Sequence, residues 1–167
     1  MGSLTTSRRL TTEQNKRTVR AFVTETQCRG NLAAIDVYLA REFVDHNPVS
    51  GLPGNRDGLR ALFSALWTAF PDLKATIHDQ VAEGDKVVTR KTLSGTHRGP
   101  FAGLPPTGNR VSFEVIDILR LTEGKVVERW GVVDQLALLR RISARPKANA
   151  STRRRSRPTG GALLRHS

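Results

Sequence analysis

The sequence predicts an α+β domain of three helices, a curved antiparallel sheet and a closing helix. Apolar residues recur at helical spacing before Pro71, and from Lys74 onward the period falls to two. The turns Glu83-Gly84-Asp85 and Glu123-Gly124 each supply a glycine between two strand-like runs, which makes two hairpins.

Thr11 to about Cys28 forms the first helix, with Val19, Phe22, Val23 and Thr26 at helical spacing and Thr12 as its cap. Gly30-Asn31 ends it, and Leu32 to Leu39 is a shorter helix that can bury Ala33, Ala34, Ile35 and Leu39. Glu42 to Asn47 is extended, because Pro48 disfavours helix in the residue before it, and Val49 to Gly54 is a loop. Asn55 caps a third helix in which Leu59, Leu62, Phe63, Leu66, Trp67 and Phe70 share one side, and Pro71 stops it. Lys74 to Ala82 and Lys86 to about His97 are the first hairpin. Gly99 to Gly108, with Pro100, Pro105 and Pro106, is a loop. The second hairpin runs from Arg110 to Leu121 and from Val126 to Asp134, and Asp134 can cap a last helix carrying Leu136, Leu139 and Ile142.

The second hairpin carries the chemistry. Val111, Phe113, Val115, Asp117, Leu119 and Leu121 share a face, so one carboxylate interrupts an apolar stripe. A carboxylate on a core face must be paired, protonated or open into a cavity, because burying an isolated charge is too costly. In the following strand, strict alternation puts Val126, Glu128, Trp130, Val132 and Asp134 on one face and Val127, Arg129, Gly131 and Val133 on the other. Both faces mix apolar and charged groups, which suggests a polar-studded pocket.

The 167 residues, 38% of them hydrophobic, suffice for one domain with a substantial core, expected over residues 11–142. The formal charge of +12 is concentrated: seven basic residues and no acid lie in 143–167, leaving +5 for residues 1–142. That segment is poor in large apolar groups and reads as a disordered basic tail; residues 1–10 read as a flexible leader. A role for the tail on nucleic acid or anionic lipid ranks last, since it has no aromatic residue to stack on bases. A single cysteine, Cys28, fits a reducing, cytoplasmic setting, and no apolar run approaches the roughly 18 residues that span a membrane. There is no Gly-rich phosphate loop and no internal repeat. His46, His78 and His97 lie on separate elements without ligand spacing, so no metal site is expected.

Several local motifs resemble those of the SnoaL-like polyketide cyclases, the ester cyclase branch of the nuclear-transport-factor-like cone fold. They are Asp45-His46-Asn47-Pro48, Phe70-Pro71-Asp72-Leu73, Glu83-Gly84-Asp85-Lys86-Val87-Val88, Gly95-Thr96-His97-Arg98-Gly99, Pro105-Pro106-Thr107-Gly108, and Gly124-Lys125-Val126-Val127-Glu128 running into Trp130-Gly131-Val132-Val133-Asp134. Together they cover residues 15–142. The resemblance implies a cone whose sheet wraps N-terminal helices and encloses a small-molecule cavity. It also implies an intramolecular aldol ring closure, without metal or cofactor, driven by an aspartate of the last strand. Asp134 is the nearest match, while anchoring on the Gly124-Lys125 turn puts that position at Gly131 instead. Family members also carry a histidine where this chain has Arg129, and the cyclases use one near the position of Asp117.

A carboxylate can take an acidic proton from carbon if partial desolvation raises its pKa, and can return it to the new alkoxide. Asp134, Asp117 and His46 are the candidate catalytic groups; Trp130, Arg129, Arg90, His97, Trp67 and Phe113 are the candidate substrate contacts. Each has a plainer reading beside it. Asp134 can be a helix cap, Asp117 can pair with Arg90 or Arg129, His46 and His97 can be loop histidines, and both tryptophans can be core. The expected partners are a small-molecule substrate and a second copy of the chain, packed through the sheet. The alternative to an enzyme is a binding or dimerisation module of the same fold.

Overall fold

The computed structural model describes residues 11–144. The leader and the basic tail lie outside the described residues, except that Ser143 and Ala144 finish the last helix.

Helix α1, Thr12–Val23, is capped by Thr11, one residue before the cap read from the sequence. The Gln14 N–H donates to the Thr11 hydroxyl at 3.2 Å and the Thr11 N–H donates to the Gln14 side chain at 2.9 Å, a reciprocal capping box. The helix expected to reach Cys28 instead widens into a π-turn over Thr24–Cys28. Three contacts hold this turn. The Thr26 hydroxyl donates to the Phe22 carbonyl at 2.7 Å, the Trp67 indole N–H donates to the Thr26 carbonyl at 2.8 Å, and the Ala75 N–H donates to Cys28 Sγ at 3.4 Å. Gly30, at φ +67°, turns the chain beneath the Trp67 ring, where a Cβ would lie 3.1 Å away. Helix α2, Ala34–Tyr38, is a single short piece that buries Ala34 and Ile35. Helix α3, Arg56–Ala69, starts on Asn55 as expected, whose Oδ1 accepts from the N–H groups of Asp57 and Gly58 at 3.0 and 3.1 Å. It buries Leu59, Phe63, Leu66 and Ala69.

The sheet has five strands: β1 Leu39–Asp45, β2 Lys74–Glu83, β3 Lys86–Thr96, β4 Arg110–Thr122 and β5 Lys125–Val133, in the order β1-β5-β4-β3-β2. Both hairpins form as expected, and β3 pairs with β4. The sheet is nevertheless mixed, because β1 joins the edge parallel to β5. The helices lie against the concave side of this curved sheet, giving the α+β cone.

Burial alternates strictly along β4, with Val111, Phe113, Val115, Asp117, Leu119 and Leu121 all buried. β5 does not alternate. Its register slips between Arg120 and Leu121, so Leu121 pairs with Val126 while Arg120 pairs with Glu128, and Val127 is the extra residue of a bulge. Val126 therefore faces the core beside Arg129, Gly131 and Val133, opposite the β4 residues Leu119, Asp117 and Val115. Helix α4, Gln135–Ser143, buries Leu138 and Ile142 and leaves Leu136 58% exposed, so Leu138 takes the core position that the spacing assigned to Leu136. Asn109 Nδ2 donates to the carbonyls of Arg141, Ile142 and Ala144, fastening the end of α4 to the start of β4.

Gly58 lies in the first turn of α3, where a Cβ would sit 1.8 Å from the Pro53 carbonyl oxygen. Alanine ordinarily stabilises a helix interior over glycine by about 1 kcal/mol. Here the sign reverses, because the obstacle is backbone: Gly58→Ala is expected to lower the urea unfolding midpoint, and a raised midpoint would refute the contact.

Candidate functional site

Between α1, α3, α4 and the concave sheet face lies a cavity of about 390 Å³. Its walls are largely apolar: Phe22, Val23, Phe63, Leu66, Leu93 and Phe113 are among the lining residues. The exposed lining residues Val49, Pro100, Ala102, Gln135 and Leu139 mark its open side, contributed by the loop after β1, the loop after β3 and the start of α4. The buried polar lining residues are Gln27, Thr89, Lys91, Asp117 and Arg129.

The three charged ones, with Asp45 of β1 behind them, form one buried cluster. Lys91 Nζ donates to Asp117 Oδ2 at 2.6 Å. Arg129 Nε donates to Asp117 Oδ1 at 3.0 Å, and its Nη2 lies 2.9 Å from the same oxygen. Its Nη1 donates to Asp45 Oδ2 at 2.7 Å, and Asp45 Oδ1 caps the following turn by accepting from the Asn47 N–H at 3.0 Å. Two carboxylates and two cations leave the cluster neutral, which lets it exist at this depth. Burial pushes the Asp117 carboxyl upward, but the Lys91 ammonium and the Arg129 guanidinium outweigh it and hold the group below the ordinary aspartate value. Burial likewise works against the Arg129 charge, and Asp117 with Asp45 more than offsets it. The cavity carboxylate is therefore ionised and well supplied with donors, rather than raised toward neutrality as desolvation alone would have it.

Gly131 makes this arrangement possible. A Cβ there would fall 2.2 Å from Arg129 Nη2 and 2.9 Å from Asp117 Oδ1, so the guanidinium folds across the space a side chain would occupy. The position that one alignment gives to a last-strand aspartate thus carries no side chain, and an arginine fills its place.

Of the residues singled out from sequence, the structure brings Asp117, Arg129 and Phe113 to the cavity. Asp134 is exposed and caps α4 by accepting from the Ala137 N–H at 2.9 Å, so the plainer reading describes its position. His46 is also outside: its ring stacks on Trp130 at 4.5 Å on the convex side of the sheet, with Nε2 3.7 Å from Glu128 Oε2. The bulge at Val127 keeps Trp130 on that outer face, where Lys86 Nζ lies 5.7 Å above its ring. Arg90 alternates away from the cavity and pairs with Asp79 at 2.6 Å and Glu114 at 3.8 Å, not with Asp117. His97 is fully buried, but behind the cavity wall: it packs on Phe70 at 5.6 Å and its Nδ1 accepts from the Thr107 N–H at 3.3 Å, bracing the loop after β3. Trp67 supports the π-turn from outside the cavity through its indole N–H. His78 Nε2 lies 2.7 Å from the Thr92 hydroxyl on an exposed stretch. Among the described residues, no group of three or more His, Cys, Asp or Glu side chains is placed to hold a metal ion.

The sequence reading missed Lys91, Asp45 and Gln27. Lys91 had a signal, because Val87, Thr89, Lys91 and Leu93 share the two-residue period and the lysine interrupts it much as Asp117 interrupts β4. Asp45 alternates with the buried Phe43 and offered the same hint. Gln27 had none, since its orientation depends on the π-turn.

Two outcomes follow from the cluster. The Asp117 pKa in the fold is below the unfolded value of about 3.9, so its contribution to stability is complete above that pH and is lost as pH falls through the folded value. Urea midpoints of wild type should therefore drop more steeply than those of Asp117→Asn between about pH 5 and about pH 2, and parallel curves would contradict the ion pairing. Gly131→Ala, by driving Arg129 off Asp117, is expected to destabilise the fold by up to about 3–5 kcal/mol in the same assay at neutral pH.

The sequence matches the family described as SnoaL-like polyketide cyclase over residues 17–142. No curated protein matches the chain. Among solved structures, TsrD from Streptomyces laurentii is 30% identical, with a TM-score of 0.72 over 80% of this chain and 98% of its own. AclR from Streptomyces galilaeus, a candidate hydroxylase, is 32% identical, with a TM-score of 0.71 over 81% of this chain and 100% of its own. IdmH from Streptomyces antibioticus, a candidate polyketide cyclase, is 29% identical, with a TM-score of 0.68 over 78% of this chain and 99% of its own. A match across nearly the whole described domain, in both sequence and fold, settles the family: the chain belongs to the SnoaL-like polyketide cyclases.

Proposed function

We propose that the chain is an acid/base enzyme that closes or isomerises a ring on an apolar, carbonyl-containing small molecule by an aldol-type step. The observation that carries this reading is the Lys91–Asp117 pair, 2.6 Å apart and lining the same apolar cavity. Asp117 takes a proton from a carbon between two carbonyls, and the electron pair moves onto a carbonyl oxygen beside Lys91. An ammonium in a water-poor site stabilises that oxyanion strongly. As Lys91 turns an N–H toward the substrate oxygen, Asp117 loses a donor and becomes more basic when it must accept a proton. The enolate carbon then attacks a second carbonyl, and Asp117 returns the proton to the new alkoxide. The relatives named as a candidate polyketide cyclase and a candidate hydroxylase leave the reaction class broad.

A second reading has its own support. Both buried carboxylates are already ion-paired and Gly131 presents no side chain, an arrangement suited to holding a ligand without turnover. We also propose that two copies pack through the convex sheet face, where Val132 is 71% exposed, Ile116 42% and Val44 43%. Val132→Asp would then shift the sedimentation coefficient toward that of the monomer.

Incubation with a panel of β-dicarbonyl and polyketone compounds, followed by mass-resolved chromatography, separates the two readings. Turnover that falls by about 100-fold or more in both Asp117→Asn and Lys91→Met, with far-ultraviolet circular dichroism retained, supports the enzyme. Saturable binding with no new product in wild type supports the module.

A further inference from the structure

We infer that Gln27 is a second polar anchor of the cavity, an acceptor that selects ligands bearing a hydroxyl group remote from the oxygen held by Lys91. This rests on the proposal that the cavity takes a carbonyl compound, and it adds the other end of that compound.

Gln27 lines the cavity and is 4% exposed, yet its Oε1 has no hydrogen-bond partner among the described residues. Buried acceptors are almost always satisfied, and one left unmet on a residue that lines a ligand-sized space can serve a donor that arrives with the ligand once the amide turns to face it. The other buried polar lining groups are occupied differently: Asp117 and Arg129 bind each other, and Thr89 Oγ1 accepts from Gln80 Nε2 at 3.0 Å. Gln27 is thus the acceptor in the wall that the protein itself leaves unmet.

Its backbone is held on both sides. Thr26 on one side is fixed by Phe22 and Trp67, and Cys28 on the other is fixed by Ala75. Gln27 therefore sits in a locked π-turn, a local irregularity that proteins favour at functional positions because it reorients a side chain out of the helical register. Phe22, Phe63 and Phe113 supply flat apolar walls. The ligand that fits is an apolar ketone with a carbonyl oxygen for Lys91 and a hydroxyl for Gln27.

The test uses the full chain and three matched probes, a tetralone, its hydroxy derivative and the corresponding methoxy derivative, with affinities measured by isothermal calorimetry. Wild type is expected to bind the hydroxytetralone about 10-fold more tightly than the methoxytetralone, the worth of one neutral hydrogen bond. In Gln27→Leu that ratio should fall to about 2-fold or less, while the unfolding midpoint stays at or above wild type because an unmet acceptor has been removed. A wild type with no preference, a Gln27→Leu variant that keeps the preference, or no binding of any probe overturns the inference. If Lys91→Met leaves all three affinities unchanged while the hydroxyl preference still tracks Gln27, the anchor stands and the carbonyl-binding role of Lys91 fails.

Discussion

Charge alternation across the concave sheet face is the constraint on which the rest of the structure depends. In the order β1-β5-β4-β3, the strands contribute Asp45, Arg129, Asp117 and Lys91, so each buried charge meets the opposite sign on its neighbour. Desolvating four ions is costly, and the arrangement persists because each carboxylate receives at least two N–H donors and the cluster is neutral. Arg129 is the member that cannot be spared. It ties the parallel edge strand β1 to the centre of the sheet, and its guanidinium occupies the space that Gly131 leaves open.

The same cluster gives the cavity its polarity. Apolar side chains from α1, α3 and β4 build most of the wall, while the ion pairs concentrate hydrogen-bonding capacity at the sheet. An ionised Asp117 held low by two cations is a weak base at rest, and its reactivity depends on whether a substrate oxygen competes for Lys91. Chemistry and fold stability thus draw on the same atoms. On the other side of the sheet, His46, Trp130, Lys86 and Glu128 form a separate group that faces outward and is not among the residues lining the cavity.

Much of the fold was legible because local signals were strong. Asn55 before an amphipathic run, Pro71 after it, and Glu-Gly turns between alternating strands are short-range rules, and each element formed where they pointed. The exceptions have a common cause. The π-turn at Thr24–Cys28 is stabilised by Trp67 and Ala75, more than forty residues away, and the bulge at Val127 by pairing with β4. The choice of Leu138 over Leu136 depends on where α4 meets the sheet. None of these can be inferred from spacing alone, because each is decided by how the segment pairs or packs against another element.

The amino-acid sequence by itself determined the α+β order, the family and the fact that Asp117 sits on a core face, since a two-residue period in a long apolar strand allows nothing else. Tertiary structure decided which charges surround that carboxylate. Arg90 and Lys91 are adjacent in the chain, yet only Lys91 reaches Asp117, because successive strand residues point to opposite faces. The fold likewise assigned Asp134 to capping and His46 and Trp130 to the convex surface, and turned Gln27 into the cavity. A residue's chemistry is written in its side chain, but its role depends on which face of the sheet it occupies and what stands opposite.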